Sequence, residues 1–484
     1  MTASLRPVFF VIGIMVAVLS AAMLVPAAID ASSGALESAR AFFISSVIGL
    51  FLGAAFALMN RAPLQSVTPR VAFILTVGSW LALALMAAVP LHLSGEGLSW
   101  TDSLFEAVSG LTTTGSTIVT ELDQRPPGFL IWRAILQWIG GIGIIVTAMA
   151  FWPMLGVGGM QLFRMETTDA SDKVLPRATE IAAAISLIYL ALTLACAIGY
   201  LIVGMGMVDA FAHAMSTVAT GGFSTSDDSL GHFTQGGADL VALVFMLLAA
   251  LPFGLFLLAA RGKPGAFLQD RQVRGFIMII VLASVVLTLV LANTGAHGAG
   301  EAWRVATFNA VSIITGTGFA TADYAAWGPA AEATFFVFMF VGGCAGSTTC
   351  SIKIFRFQIA GSAIRRYLGN LLSPNAIIPM HYNGRPVPDS AIHSVLGFFF
   401  VFFAVFAISA AILSAMGLDL TTAISGAATS LANVGPGLGD TIGPSGTFAP
   451  LEDPAKWVLT ANMFIGRLEV LTVLVLLTPR FWRG

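Results

Sequence analysis

Residues 106–115 read Glu-Ala-Val-Ser-Gly-Leu-Thr-Thr-Thr-Gly, and three later stretches follow the same pattern. Residues 213–222 read His-Ala-Met-Ser-Thr-Val-Ala-Thr-Gly-Gly, and residues 309–318 read Asn-Ala-Val-Ser-Ile-Ile-Thr-Gly-Thr-Gly. Residues 426–435 read Gly-Ala-Ala-Thr-Ser-Leu-Ala-Asn-Val-Gly. Aligned on their final glycines (Gly115, Gly222, Gly318 and Gly435), all four carry alanine eight positions earlier: Ala107, Ala214, Ala310 and Ala427. Six positions before the glycine stands a hydroxyl residue: Ser109, Ser216, Ser312 or Thr429. The second and third copies also continue alike, as Gly-Phe-Ser-Thr-Ser-Asp (222–227) and Gly-Phe-Ala-Thr-Ala-Asp (318–323). One such match is noise in a chain rich in glycine and alanine; four in equivalent places form a repeat. The copies stand about 100 residues apart, far beyond the roughly 20–45 residues of a stacked solenoid repeat.

The surroundings of each copy are apolar. Of 484 residues, 57% are hydrophobic and only 10% charged, with mean hydropathy +0.89, whereas soluble domains carry about 25% charged residues. Lipid must therefore be the solvent for most of the chain. That excludes a cytosolic enzyme, a secreted disulfide scaffold and a disordered regulator. A spanning helix needs about 20 apolar residues, and candidates lie at about 7–29, 41–60, 70–91, 129–155, 180–204, 238–260, 274–293, 391–416 and 457–478. A tenth, near 331–360, is interrupted by Gly342-Gly343-Cys344-Ala345-Gly346-Ser347-Thr348-Thr349. The first run is longer than the apolar core of a signal peptide and is expected to persist as a helix. Segments 100–111, 209–218, 301–314 and 419–432 are too short to cross. Each reads as a re-entrant helix running into a Gly/Thr turn.

Lys and Arg gather in alternate connections, which puts the N-terminus on the cytoplasmic side. Asp102, Glu106, Asp209, Asp227, Asp228, Asp323, Asp419 and Asp440 then fall outside. There they either concentrate cations at a pore mouth or simply solvate the outer loops. The expected architecture is all-α integral membrane: four pseudo-repeats of helix, pore helix with filter loop, and helix around one central pore, preceded by two extra helices. The divisions are 1–69 for the two N-terminal helices, 70–160 for the first repeat and 161–262 for the second. The third is 263–372, with a broken segment at 342–351, and the fourth is 373–484.

Irregular backbone at membrane depth survives where it lines a water-filled cavity or is buried in protein. Four extended turns meeting at one axis would offer rings of carbonyl oxygens that replace the hydration shell of a potassium ion. Glycine is wanted there because an alternating carbonyl ladder needs dihedrals that a Cβ disfavours. The short helices would point their negative ends at the ion. Gly140, Gly141 and Gly143 read instead as close-packing positions. Cys196, Cys344 and Cys350 make no disulfide framework, the histidines form no metal-ligand motif, and there is no phosphate-binding loop. With net charge −2, nucleic acid is not an expected partner.

The turns Thr112-Thr113-Thr114-Gly115, Thr220-Gly221-Gly222-Phe223 and Asn433-Val434-Gly435-Pro436-Gly437 resemble the filter loops of the Trk/Ktr/HKT potassium transporter superfamily. More specifically, Gln137-Trp138-Ile139-Gly140-Gly141-Ile142-Gly143, Gly342–Thr348 and Gly466-Arg467-Leu468-Glu469 resemble its bacterial TrkH-type membrane subunit. The resemblance runs over essentially the whole chain, including the Pro479…Phe481-Trp482 ending. It implies a potassium-uptake protein rather than an enzyme, with one pore per chain, a homodimer in the bacterial inner membrane, and potassium as substrate without a bound cofactor. It implies potassium-binding residues Thr113, Thr114, Gly115, Thr220, Gly221, Gly222, Gly316, Thr317, Gly318, Asn433, Val434 and Gly435. Two turns depart from the family's pattern: the third, Thr315-Gly316-Thr317-Gly318, has Gly316 where the family more often has a second Thr, and the fourth has Asn433-Val434, so a strictly symmetric filter is not expected.

The broken segment can lie across the path below the filter, so Gly342, Gly343, Gly346 and Ser347 are expected to gate it; a packing kink is the alternative. Where the family usually continues Gly-Gly-Gly, this chain has Thr349-Cys350-Ser351. Arg467 falls mid-way along the candidate span 457–478, where a charge costs about 2.5–3.5 kcal/mol. Glu469 lies across that helix and cannot pair with it simply. Arg467 is therefore expected to reach carbonyls of the broken loop or filter and to oppose cations, the alternative being a snorkelling arginine. Inner loops 161–180, 261–274 and 353–389 mix both charges. They read as a docking face for a cytosolic partner, a TrkA-like nucleotide-binding subunit by the resemblance, or as solvated flanks of the spans. A sodium- or proton-coupled carrier built on broken helices is the competing function. It is disfavoured because Arg467 and Glu469 stand nearly alone as charges within the spans.

Overall fold

The computed structural model describes residues 5–61, 68–150, 178–293, 298–376 and 378–483. The chain begins with α1 (Arg6–Ala22) and α2 (Leu24–Ser33), which together make one 28-residue crossing, and returns through α3 (Leu36–Met59). Two glycines bring this pair into backbone contact. A Cβ on Gly13 would meet the Ala57 nitrogen at 2.6 Å, and one on Gly53 would meet the Ala17 nitrogen at 2.7 Å.

The first repeat runs α4 (Pro69–Leu93), α5 (Trp100–Leu111) and α6 (Pro127–Ala150). Short α5 is started by a capping box, with Asp102 N–H donating to Ser99 Oγ and Ser99 N–H to Asp102 Oδ2. The second repeat is α7 (Ala178–Ile202), α8 (Met207–Ala219), α9 (Ala238–Ala249) and α10 (Phe253–Ala260). The third is α11 (Arg271–Asn293), α12 (Ala299–Ile314), α13 (Pro329–Met339) and α14 (Ile354–Leu372). The fourth is α15 (Asp389–Ala415), α16 (Leu420–Ala432), α17 (Asp453–Arg467) and α18 (Val470–Leu476). Asp419 caps α16 by accepting from Thr422 N–H at 3.0 Å.

Four short helices, each preceded by a longer one, are what the repeat predicted, and their boundaries agree with the expected segments to within two residues. The expected spans need three corrections. The segment 238–260 breaks at Leu251-Pro252, where proline has no N–H with which to continue the ladder. The segment 457–478 breaks at Leu468-Glu469 and turns by 107°. Arg467 therefore ends a helix instead of sitting mid-way along one. Among the described residues, seven helices are long and apolar enough to cross, or nine if each bent pair is one span, against the ten expected. The end of the 129–155 span and the inner loop at 161–177 lie outside the described residues.

One apolar core runs through all four repeats. Around it, exposed Phe43, Val47 and Phe51 on α3, Met278, Val281 and Leu282 on α11, and Phe400 on α15 make the outward face apolar. That is the surface lipid requires.

Candidate functional site: four turns and a broken loop

The residues after each short helix adopt one backbone conformation four times. Two positions before the anchor glycine, φ is +50° at Thr113, +51° at Thr220, +67° at Gly316 and +53° at Asn433. At the anchors φ is +85°, +79°, +82° and +116° for Gly115, Gly222, Gly318 and Gly435. The residue between them donates its N–H back to the main-chain carbonyl of the hydroxyl residue six before the anchor. These bonds are Thr114 to Ser109, Gly221 to Ser216 and Thr317 to Ser312, each 2.9 Å, and Val434 to Thr429, 3.0 Å. The hydroxyls add a second tie. Ser109 Oγ donates to Ser116 O and Ser312 Oγ to Phe319 O, both 2.6 Å, while Thr429 Oγ1 accepts from Gly435 N–H at 3.0 Å. Ser216 Oγ instead donates to Gln137 Oε1, whose amide group holds Gly221 O at 2.6 Å and Phe223 N–H at 3.1 Å. The hydroxyl slot legible in the sequence is thus the turn's anchor.

The four turns close into a ring. A Cβ on Gly115 would overlap the carbonyl oxygen of Gly221; one on Gly222 would overlap that of Thr317; one on Gly318 would overlap that of Val434. The last joint is looser, a Cβ on Gly435 meeting Thr114 O at 2.9 Å. First touches second, second third, third fourth and fourth first. Turns one and three therefore face each other across the ring, as do two and four. All twelve residues named from the sequence lie in it. The looser joint is reinforced by side chains, with Asn433 Nδ2 donating to Thr114 Oγ1 at 2.8 Å and Ser116 Oγ to Gly435 O at 2.6 Å.

Close packing explains Gly140, as expected. A Cβ there would overlap Leu111 O at the end of α5, and one on Gly466 would overlap Leu431 O at the same point of α16. Gly141 is pressed against Tyr189 and Ala219, whereas Gly143 has its nearest neighbour, Trp80, at 3.7 Å.

The broken segment passes beside this ring. Its neck is closed by Gly342 N–H to Ile352 O at 3.0 Å, where a Cβ on Gly342 would overlap Cys350 O. One limb is tied to the second repeat, through Cys344 N–H to Ala250 O and Thr348 Oγ1 to Ala249 O, both 3.1 Å. Phe253 N–H donates to Gly346 O at 2.9 Å, and within the loop Ser347 Oγ donates to Cys344 O at 2.6 Å. The other limb is tied to the fourth repeat, Ser351 N–H donating to Ala432 O at 2.9 Å. Gly343 packs on Thr349 and Ala250, and Gly346 takes φ +74°.

Arg467 reaches this loop, as expected. It donates to Thr348 O at 3.2 Å and to the sulfur of Cys350, and its other amino group donates to Gly140 O at 3.0 Å. Glu469 does not pair with it and takes Arg356 at 2.7 Å, both side chains being buried. Lys353 donates to Thr349 O and Oγ1. Buried charges are therefore more numerous than the sequence indicated. Several acids expected outside also serve structure: Glu106 is fully buried, 2.7 Å from Arg133, and Asp102 pairs with Lys456 at 2.6 Å. Among the described residues no His/Cys/Asp/Glu group could hold a metal ion.

A sequence profile of the TrkH family, described as a cation transport protein, matches residues 38–483. The chain belongs to the TrkH family. Family members similar to it include the "Trk system potassium uptake protein TrkI" of Halomonas elongata, 48% identical over 86% of this chain and 85% of the relative. The TrkH of the same organism is 38% identical over 99% of this chain and all of its own length. The crystal structure of the potassium transporter TrkH from Vibrio parahaemolyticus superposes with TM-score 0.91 and 36% identity, covering 99% of this chain and 100% of that one. The TrkH family is one of transport proteins, not enzymes, and the chain has its helical membrane fold.

Proposed function

We propose that this chain takes up potassium across the bacterial inner membrane, as the membrane subunit of a Trk-type system. The observation that carries the reading is the closed ring of four turns with one backbone conformation. The bacterial relatives named for potassium uptake support the substrate. In this reading Thr113–Gly115, Thr220–Gly222, Gly316–Gly318 and Asn433–Gly435 are the selectivity filter. Their carbonyls replace the water around potassium, and the four short helices aim their negative ends at it. Four repeats at 70–160, 161–262, 263–372 and 373–484 supply one turn each, behind an N-terminal pair at 1–69. The gate is the loop 342–351, held by Arg467. Its guanidinium is a positive charge beside the path, and its hydrogen bonds to Thr348 and Gly140 keep the loop in place.

The N-terminus lies in the cytoplasm by the distribution of Lys and Arg. Inner connections at 161–180, 261–274 and 353–389 receive a cytosolic, TrkA-like nucleotide-binding subunit, and two copies form a homodimer in lipid. The Arg356–Glu469 pair is an observation favouring a coupled carrier. Its members neutralise each other beside the loop, so we read them as its support. Rescue of a potassium-uptake-deficient strain at micromolar potassium, with potassium flux in proteoliposomes, tests the reading. Failure of both overturns it, and proton movement in fixed ratio to potassium turns it into a carrier.

A further inference from the structure

Cys350 lies between opposite sides of the ring. A Cβ on Gly316, in the third turn, would lie 3.6 Å from the Cys350 amide nitrogen and 3.9 Å from Cys350 Cβ. The Cys350 sulfur lies 3.7 Å from Thr113 Oγ1, in the first turn. The order of the joints puts the first and third turns opposite each other. A residue whose main chain neighbours one and whose sulfur meets the other lies between them. Both contacted residues occupy the same slot, two before the anchor.

A second feature meets the same sulfur. Arg467, only 2% exposed, directs one amino group at it, and its Nε has no hydrogen-bond partner among the described residues. Cys350, Lys353, Gly466 and Arg467 line one cavity beside the loop. The thiol is thus held from one side by a guanidinium and stopped on the other by the Thr113 hydroxyl. The flanking residues differ from it: Thr349 bonds to Ser347 and Lys353, and Ser351 to Met339 O and to Ala432 O at the start of the fourth turn, and among the described residues neither bonds to the first turn.

We infer that the Cys350 side chain is the bolt of the gate. It bars the axis beneath the four turns, and potassium passes when the thiol leaves Arg467 and Thr113 and swings aside. This rests on the reading of the turns as the ion path. It adds which side chain of the loop blocks that path, and makes the closed state depend on a thiol.

The test is potassium flux in proteoliposomes for the wild type, Cys350→Gly, Cys350→Ala and Cys350→Ser. Removing one hydrogen bond to a charged group shifts an opening equilibrium about tenfold. Cys350→Gly is therefore expected to conduct about tenfold faster, with Cys350→Ala and Cys350→Ser in between. The wild type is also exposed to Ag+, a soft monovalent cation that binds thiols. Silver is expected to arrest wild-type flux and to lose that effect on Cys350→Ser, because Cys196 and Cys344 are fully buried. Equal flux from Cys350→Gly and wild type overturns the bolt, and so does silver arrest that persists in Cys350→Ser. Should Cys350→Gly fail to fold, the silver comparison decides alone. A wild type that moves no potassium at all overturns the ion path instead, so the two failures are distinct.

Discussion

Thr113 and Thr220 carry β-branched side chains at φ near +50°, a backbone region that costs such residues about 1–3 kcal/mol. Asn433 tolerates the same conformation better, and Gly316 bears no cost. Strain at two of four equivalent positions, held by identical amide–carbonyl ties, marks where the fold spends stability on a fixed shape. The anchor glycines were legible in the sequence because positive φ and the contact with the next turn both demand glycine. The threonines were legible only as oxygen donors, since nothing in a threonine announces a left-handed backbone. Replacing an anchor tests the close contact: Gly222→Ala is expected to abolish potassium uptake in proteoliposomes, because its Cβ would overlap Thr317 O. Gly143→Ala, whose Cβ would stand in ordinary contact with Trp80 at 3.7 Å, is expected to retain it. Glu106 looked like an outer acid because its partner Arg133 stands on the next helix. Breaking such a buried pair costs about 3–5 kcal/mol. Glu106→Gln is therefore expected to lower the thermal unfolding midpoint in detergent by several degrees, while Glu106→Leu with Arg133→Met recovers most of the loss.

Hydropathy reports that a segment is apolar, and it is silent about bends. The four short helices were legible because length alone forbids them to span. The kink at Leu251-Pro252 left a proline as its signal, but the 107° turn at Leu468-Glu469 has no proline, and Gly466 beside it is explained by close packing on Leu431 O. Tertiary contacts make that bend: Glu469, at φ +66°, is drawn to Arg356 at the start of α14. The bend frees Arg467 to point along the loop instead of across a helix. Arg467→Ala removes the positive charge and two hydrogen bonds from the loop, so cation flux is expected to rise in a liposome uptake assay. Glu469→Gln leaves Arg356 buried beside the loop without its counter-charge. It is expected to loosen the α17–α18 bend, read as faster hydrogen exchange at 465–470 than in the wild type.

At the scale of the molecule the ring is square in backbone and uneven in chemistry. The slot two before the anchor holds Thr, Thr, Gly and Asn, so the four sides present different oxygens. The looser joint lies between the last turn and the first, where Asn433 compensates with bonds to Thr114 Oγ1 and Met463 O at 2.8 and 2.9 Å. Asn433→Ala is expected to lower the potassium-to-sodium flux ratio more than it lowers total potassium flux, measured by paired tracer uptake. The fourfold plan was legible because the repeat is written into ten consecutive residues each time. The order of contact around the ring was not, because it depends on carbonyls whose neighbours are distant in sequence. That joint also carries a consequence for how the protein is made. The fourth side of the ring, ending at Gly435, comes late in translation, and its contact with Thr114 closes a loop of some three hundred residues, an entropic cost that grows only slowly with length. A nascent chain that stalls before residue 426 leaves a three-sided ring, so the closed ring is acquired only near the end of synthesis.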